Sequence, residues 1–266
     1  MAGDTCLTVK PEDRRIVREL LQCLRSPENT ARPVGELAVM VGRFFLGSPY
    51  ASGTIERQGA EKLVVNLRQF DCFTFVENAV VLARLLKNGE EDFSRYTAAL
   101  TRTRYRGGRL NGYASRLHYF SDWLRDNQRK GILKDVTREI GGSPRHRAIN
   151  FMTANSARYP ALKSPGVCRE MLAVEKRCSR HRLFHIPKRE LNDLADRILD
   201  GDLIGITTGK EGLDVSHAGL AIRIRGKVHL LHASQVEKQV VLSRETLYRY
   251  LAADTSRAGI MIGRLR

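Results

Sequence analysis

Apolar positions recur at helical spacing through the first three quarters of the chain and at strand spacing near its end. From Cys72 they fall at Phe75, Val76, Ala79, Val80, Ala83 and Leu86, the i, i+3, i+4, i+7 pattern of a helix with one buried face. Asp71 suits the N-cap of that helix, and Gly89 follows its end. Earlier, Ile16, Leu20, Leu21 and Leu24 make a stripe on a helix over Pro11–Arg25, with Pro11, Glu12 and Asp13 favouring its start. A second helix is predicted over Pro33–Phe45, a turn-rich loop over Gly47–Gly53 and a short strand over Leu63–Leu67. Further helices are predicted over Asp92–Arg104, Ser121–Arg129, Pro165–Arg177 and Lys188–Leu199. The pattern then changes to strands over Leu203–Thr207, His217–Ile224, Lys227–Ala233, Gln239–Leu242 and Ile260–Leu265, with Arg225-Gly226-Lys227 turning the middle pair into a hairpin. Helices first and an antiparallel sheet later is an α+β pattern.

The 266 residues suit one domain, 1–266, and no repeat or linker divides it. Within it, residues 1–47 read as an N-terminal helical segment and 89–200 as a mostly helical insertion. With 42% hydrophobic residues the chain buries a core without help from disulfides or metal. The excess of 45 Lys and Arg over 29 Asp and Glu gives a charge of +16 and favours anionic partners. The basic residues are scattered, with no tail and no basic-aromatic module, so no specific nucleic-acid partner is expected. No apolar run reaches the ~20 residues of a membrane span. The stretch from Met1 to Cys6 carries neither a basic nor an apolar leader region, so the expectation is a cytoplasmic protein or one whose leader was removed. The oligomeric state is left open.

Five cysteines is an odd number. With Cys72 set aside, Cys6 and Cys23 lie close in sequence, as do Cys168 and Cys178. Two disulfides would suit an exported protein, although buried free thiols are the simpler reading. No Cys-x-x-Cys spacing occurs and the seven histidines are dispersed, so neither a zinc site nor a cofactor is expected.

Cys72 carries the candidate chemistry. A thiol at a helix start receives the dipole, and its own N–H is an unpaired donor that can face an oxyanion. A nearby protonated histidine and the helix start together lower a thiol pKa. In the strand beginning at His217, Ala218, Leu220, Ile222 and Ile224 share one face. His217, Gly219 and Ala221 share the other, a small face with room for a helix end. A general base needs a third group to fix its tautomer. His229 and His232 point to opposite faces of the next strand, so only one meets His217, and Asp214 is a further candidate.

Cysteine on a helix, histidine on a strand and a polar residue on the next strand is the order of papain-like cysteine hydrolases. Asp71-Cys72-Phe73-Thr74-Phe75-Val76 resembles the nucleophile signature of NlpC-type cell-wall cysteine peptidases, with Phe73 in place of the usual small residue. Gly47-Ser48-Pro49-Tyr50 resembles the loop before that nucleophile, and Ser216–Ala221 and Leu231–Ser234 resemble the histidine and third-residue segments. Leu63–Leu67, Tyr105–Gly108 and Gly112–Trp123 are similar to the N-acetylmuramoyl-L-alanine amidase-like branch. The resemblance runs from about Tyr50 to Ser234. It implies a papain-like core, a nucleophile helix packed on an antiparallel sheet, with the long gap before His217 taken up by a helical insertion. It implies Cys72 as nucleophile, His217 as base, His232 as orienter and Tyr50 as a further active-site residue. Arg116, His118 and Tyr119 are the candidate substrate-binding residues, while Trp123 reads as core. The implied reaction, without metal or cofactor, is hydrolysis of the amide between N-acetylmuramic acid, including its anhydro form, and L-alanine in bacterial peptidoglycan or its fragments. The implied location is periplasmic or secreted. The alternatives are a stem-peptide endopeptidase on the same site, a transglutaminase-like enzyme, which would put Asp in the third position, and a non-enzymatic basic binding protein.

Overall fold

The fold is organised around the helix that begins at Cys72. The computed structural model describes residues 6–266; Met1–Thr5, part of the stretch read above for a leader, lie outside it. In order the elements are β1 (Leu7–Thr8), α1 (Pro11–Leu24), α2 (Pro27–Ala31), α3 (Val34–Phe44), β2 (Leu63–Val64), α4 (Cys72–Asn88), α5 (Phe93–Arg104), α6 (Phe120–Arg129), β3 (Leu133–Asp135), α7 (Thr137–Ile140), β4 (Ser143–Arg145), α8 (Phe151–Ala154), α9 (Pro165–Ser179), β5 (Leu183–Pro187), α10 (Leu191–Leu194), β6 (Leu203–Thr208), β7 (Val215–Ile224), β8 (Lys227–Ser234), β9 (Gln239–Thr246), α11 (Leu247–Ala252) and β10 (Arg257–Leu265), with 3-10 turns between several of them.

The strands from β3 onward form one antiparallel sheet, ordered β4-β5-β10-β6-β7-β8-β9, with β3 also on β10. This is the expected α+β architecture, with one difference. The 89–200 segment also contributes β3, β4 and β5 to the sheet. The predicted helix over 188–199 breaks into a 3-10 turn, the four-residue α10 and a second 3-10 turn; its Asn192, Asp193 and Asp196 favour local backbone bonds over helix.

Strand alternation divides the interior in two. Leu203, Leu220, Leu231 and Met261 join a core with α1, α3, α4, α5 and α6, whereas Ile204, Ile206, Leu230, Ile260 and Ile262 pack with α7 and α11 on the other side. Helix α4 is buried almost all round, not along one stripe, because α1, α3 and α5 wrap the side turned away from the sheet. The β7–β8 turn puts Arg225 at φ 50° and Gly226 at φ 77°, the double left-handed pair of a two-residue hairpin.

Arg104 ties α5 to α4. Its Nε donates to Glu77 Oε2 at 2.8 Å and its Nη1 to the Val64 carbonyl at 2.7 Å, with both side chains almost wholly buried. Arg104→Met leaves the Glu77 carboxylate buried without its cation. The expected loss is about 3–5 kcal/mol, read as a lower urea midpoint at unchanged m-value; a midpoint equal to wild type would refute it.

All five cysteines are free. Cys168 and Cys178 lie on α9, where ten residues rise about 15 Å, beyond the ~7 Å Cα limit of a disulfide. Of the two readings of the cysteines, the structure has the free thiols. Among the described residues, no helix is long and apolar enough to cross a membrane.

Candidate active site

Asp71 builds the position of the thiol. Its carboxylate accepts the N–H groups of Phe73 at 3.0 Å and Thr74 at 2.8 Å, while Thr74 Oγ1 accepts the Asp71 N–H at 3.0 Å. This closes the first turn of α4 and leaves the Cys72 N–H outside the cap.

Opposite stands the start of β7. His217 pairs with Ile206 and Val215 with Thr207, so Ser216 is an unpaired bulge residue beside the histidine. Cys72, Phe73, His118, Phe120 and residues 215–218 line one small pocket of about 120 Å³. His217 Nε2 lies 2.7 Å from His232 Nδ1, which leaves Nδ1 of His217 as the ring nitrogen available to the thiol.

The third-group candidates separate cleanly. His229 Nδ1 meets the Ser243 carbonyl at 3.1 Å, and Asp214 accepts the Ser121 and Val215 N–H groups at 2.7 Å each. The helix does not approach the small face of β7 as expected. The core on the Ala218, Leu220 and Ile222 side contains Phe75 and Val76 of α4, and the small face receives His232 instead. A Cβ on Gly219 would lie 2.9 Å from the His232 Cβ, so glycine there makes room for that ring.

The protonation states also differ from expectation. Burial, with Asp71 adding to it, pushes the Cys72 thiol up to about 12, outweighing the N–H groups of Ala218, Cys72 and Phe73 that favour the thiolate. Burial, then His232 and Arg257, holds His217 down to about 3; burial and Arg257 hold His232 to about 4. The resting pair is a neutral thiol and a neutral imidazole. Tyr50, half-buried, is raised to about 12 by burial, with Cys72 and Asp71 adding to it, so its phenol remains a donor.

Phe73 and His118 also line a larger groove of about 630 Å³, which runs past Glu56, Asp71, Glu77, Arg104 and Arg116 to Arg158 and Tyr159. Of the expected substrate-binding residues, Arg116 and His118 line it. Arg116 is already engaged, by Glu56 at 2.6 Å and Glu61 at 3.5 Å. His118 Nε2 meets the Tyr113 carbonyl at 2.9 Å. Tyr119 is not in the groove wall: it is 2% exposed, donates to Glu175 at 2.6 Å and accepts the Met152 N–H at 2.9 Å. Its place is structural, as is that of the fully buried Trp123, packed against Phe73 and Phe120.

The family model described as AmiA-like, N-acetylmuramoyl-L-alanine amidase-like, matches residues 40–260. The chain belongs to this amidase-like family. A Bacteroides uniformis N-acetylmuramoyl-L-alanine amidase is 34% identical, with a TM-score of 0.84 over 88% of this chain and 99% of that one. A Bacteroides fragilis protein provisionally called a xylanase is 38% identical, with a TM-score of 0.81 over 85% and 100%. The Legionella pneumophila protein LPG0564, at 21% identity and TM-score 0.74, shares the fold over 96% and 94%. No curated protein matches.

Sequence reasoning missed several residues that line the groove. Arg158, on the groove wall, sits on a three-residue 3-10 turn, too short to show a period. Glu77 and Phe73 are four apart on α4, and that spacing was a usable signal for a shared wall.

Proposed function

We propose that this amidase-like hydrolase is a cysteine amidase with an NlpC-type, papain-like core, cutting the amide between N-acetylmuramic acid and L-alanine in murein fragments. One observation carries the reading: the thiol at the capped start of α4 shares a pocket with a histidine held 2.7 Å from a second histidine. In the proposed mechanism His217 Nδ1 takes the thiol proton while Nε2–H donates to His232, which fixes the tautomer. Cys72 Sγ attacks the lactyl carbonyl, and the Cys72 N–H and Tyr50 hydroxyl face the oxyanion. His217 then protonates the leaving amine of L-alanine, and water hydrolyses the thioester. A cell-wall substrate makes an extracytoplasmic location the expected one.

A glycosidase reading, which one relative's name raises, finds little support. Glycoside hydrolysis uses a pair of carboxyl groups flanking the bond. In the groove Glu77 is bound to Arg104, Glu56 to Arg116, and Asp71 to the α4 cap.

The test is mass spectrometry of anhydro-muramyl peptides and intact muropeptides incubated with the protein. Release of stem peptide beginning with free L-alanine supports the proposal. Cleavage within the stem would replace it with an endopeptidase. Salt-sensitive binding without any product would replace it with a binding protein.

The groove's charges assign a further contact. Arg104 and Arg116 are neutralised within the protein, whereas Arg158, on the groove wall, has no carboxylate partner among the described residues. Arg158 is therefore the cation proposed to meet a stem-peptide carboxylate. Arg158→Gln is expected to raise KM about tenfold with kcat little changed, the size of one charge-assisted hydrogen bond. Steady-state kinetics showing an unchanged KM would remove Arg158 from the site.

A further inference from the structure

Two side chains, Tyr250 and Arg257, stand behind the histidine pair in a continuous stack. The Tyr250 ring lies 5.4 Å from His232 at 71° and 6.2 Å from His217 at 34°, centroid to centroid, so one ring touches both imidazoles. The two imidazoles meet edge to face at 4.8 Å. Arg257 lies over the Tyr250 ring, 4.0 Å from its centroid, and its Nη1 donates to the Tyr250 carbonyl. Tyr250 comes from α11 and Arg257 from the first residue of β10, so the stack joins two elements that carry none of the groups placed in the mechanism above.

We propose that Tyr250 and Arg257 are positioning residues for the hydrolysis: Tyr250 clamps the two imidazoles in their mutual geometry, and Arg257 locks Tyr250 and places a cation behind the pair. The proposal rests on the reading of His217 and His232 as base and orienter. Edge-to-face and tilted ring contacts hold orientation as well as area, and a guanidinium on a tyrosine face is held there by the ring quadrupole. A cation near an imidazole disfavours its protonated form, which agrees with the downward shift of both rings.

The groups facing the stack are few. Asp254 Oδ2 lies 3.5 Å from Arg257 Nε. From the 3-10 turn over 188–190 packed on α11, the Lys188 ammonium meets the Asp254 carbonyl at 3.4 Å, and Arg189 pairs with Glu190. Burial raises the Tyr250 phenol, Arg257 lowers it, and Cys72 and Asp254 add smaller upward contributions. Arg257 is the cation that acts on both histidines.

The experiment compares Arg257→Met, Arg257→Lys, Tyr250→Leu and Tyr250→Phe with wild type by the pH profile of kcat/KM and by NMR titration of the histidine rings. Removing a cation raises the pKa of every neighbouring group, so Arg257→Met is expected to move the profile and the His217 and His232 titrations about one pH unit upward. Arg257→Lys restores their position. Tyr250→Leu lowers kcat at least tenfold with KM nearly unchanged, and Tyr250→Phe, which keeps the ring, stays close to wild type. A merely structural role would scale activity down and leave the titrations in place, and that result overturns the proposal. Should Arg257→Met or Tyr250→Leu fail to fold, Arg257→Lys and Tyr250→Phe decide it: either one shifting the titrations as much as a full charge loss would overturn it. Wild type without turnover on any murein fragment, but with titrations moving as stated, sinks the functional reading and supports the clamp.

Discussion

Cys72→Ala is expected to lower kcat/KM on a muramyl-L-alanine substrate by at least about 10⁴-fold, to background, while leaving the fold intact. The size follows from the absence of a substitute. In the proposed mechanism the attacking atom is the sulfur, and alanine leaves no nucleophile at the start of α4. The fold should survive because Cys72 is a half-buried small residue outside the Asp71 cap bonds, and such substitutions usually cost no more than about 1 kcal/mol. The thiol pushed up to about 12 adds a second signature. With little thiolate at neutral pH, Cys72 should alkylate with iodoacetamide more slowly than the exposed Cys6 and Cys23. Peptide mapping after timed labelling measures this. A Cys72→Ala protein with the wild-type rate would end the cysteine mechanism.

Acid is expected to unfold the protein early. Burial holds His118 well below its ordinary value, His185 to about 4, His217 to about 3 and His232 to about 4. Arg116 adds to the depression of His118, and Arg145 to that of His185. Above the ordinary histidine value of ~6.5, neither the folded nor the unfolded chain protonates these rings. Below it the unfolded chain takes protons that the folded chain refuses, so stability falls as pH falls toward 4. Each ring contributes at most about 1.4 kcal/mol per pH unit, and four together at most about 5. Two such units remove up to about 11 kcal/mol, most of a typical stability of about 5–15 kcal/mol. Glu61, Glu77, Asp135 and Asp214, raised chiefly by burial, act in the opposite direction at the acid end. The fall is therefore steepest in its upper part. Thermal melts across pH 8 to 4 should show a flat Tm above about 7 and a steep drop below 6.5. A Tm constant down to pH 5 would contradict the histidine assignments.

Long periodic elements were legible in the sequence, and short ones were not. Helix α4 was found with both ends because Asp71 and Gly89 mark them and its apolar positions repeat for four turns. The β7–β8 hairpin was found because Arg225-Gly226 sits between two alternating runs. Strands β3, β4 and β5 were missed: they have three to five residues, and one of them, Ser143-Pro144-Arg145, has no apolar alternation. Their pairing is set by the partner strand and not by local pattern. Position along the chain pointed to Cys72 and His217. The choice of His232 came from resemblance, because spacing alone left His229 and Asp214 open. What spacing could not supply was which charges are already taken. Arg116 looked like a carboxylate ligand until Glu56 and Glu61 were found against it.

The place of β10 has a consequence for how the protein is made. Strands β4 and β5 form one part of the sheet, β6 to β9 form another, and β10 joins the two and also pairs β3. During synthesis on the ribosome both parts emerge before residues 257–265 and carry open edges that expose unpaired backbone. The thiol is translated early, yet Arg257, proposed above to back the histidines, arrives only with that last strand. The emerging chain is prone to wrong edge pairing until β10 inserts. A holding chaperone would act in that interval.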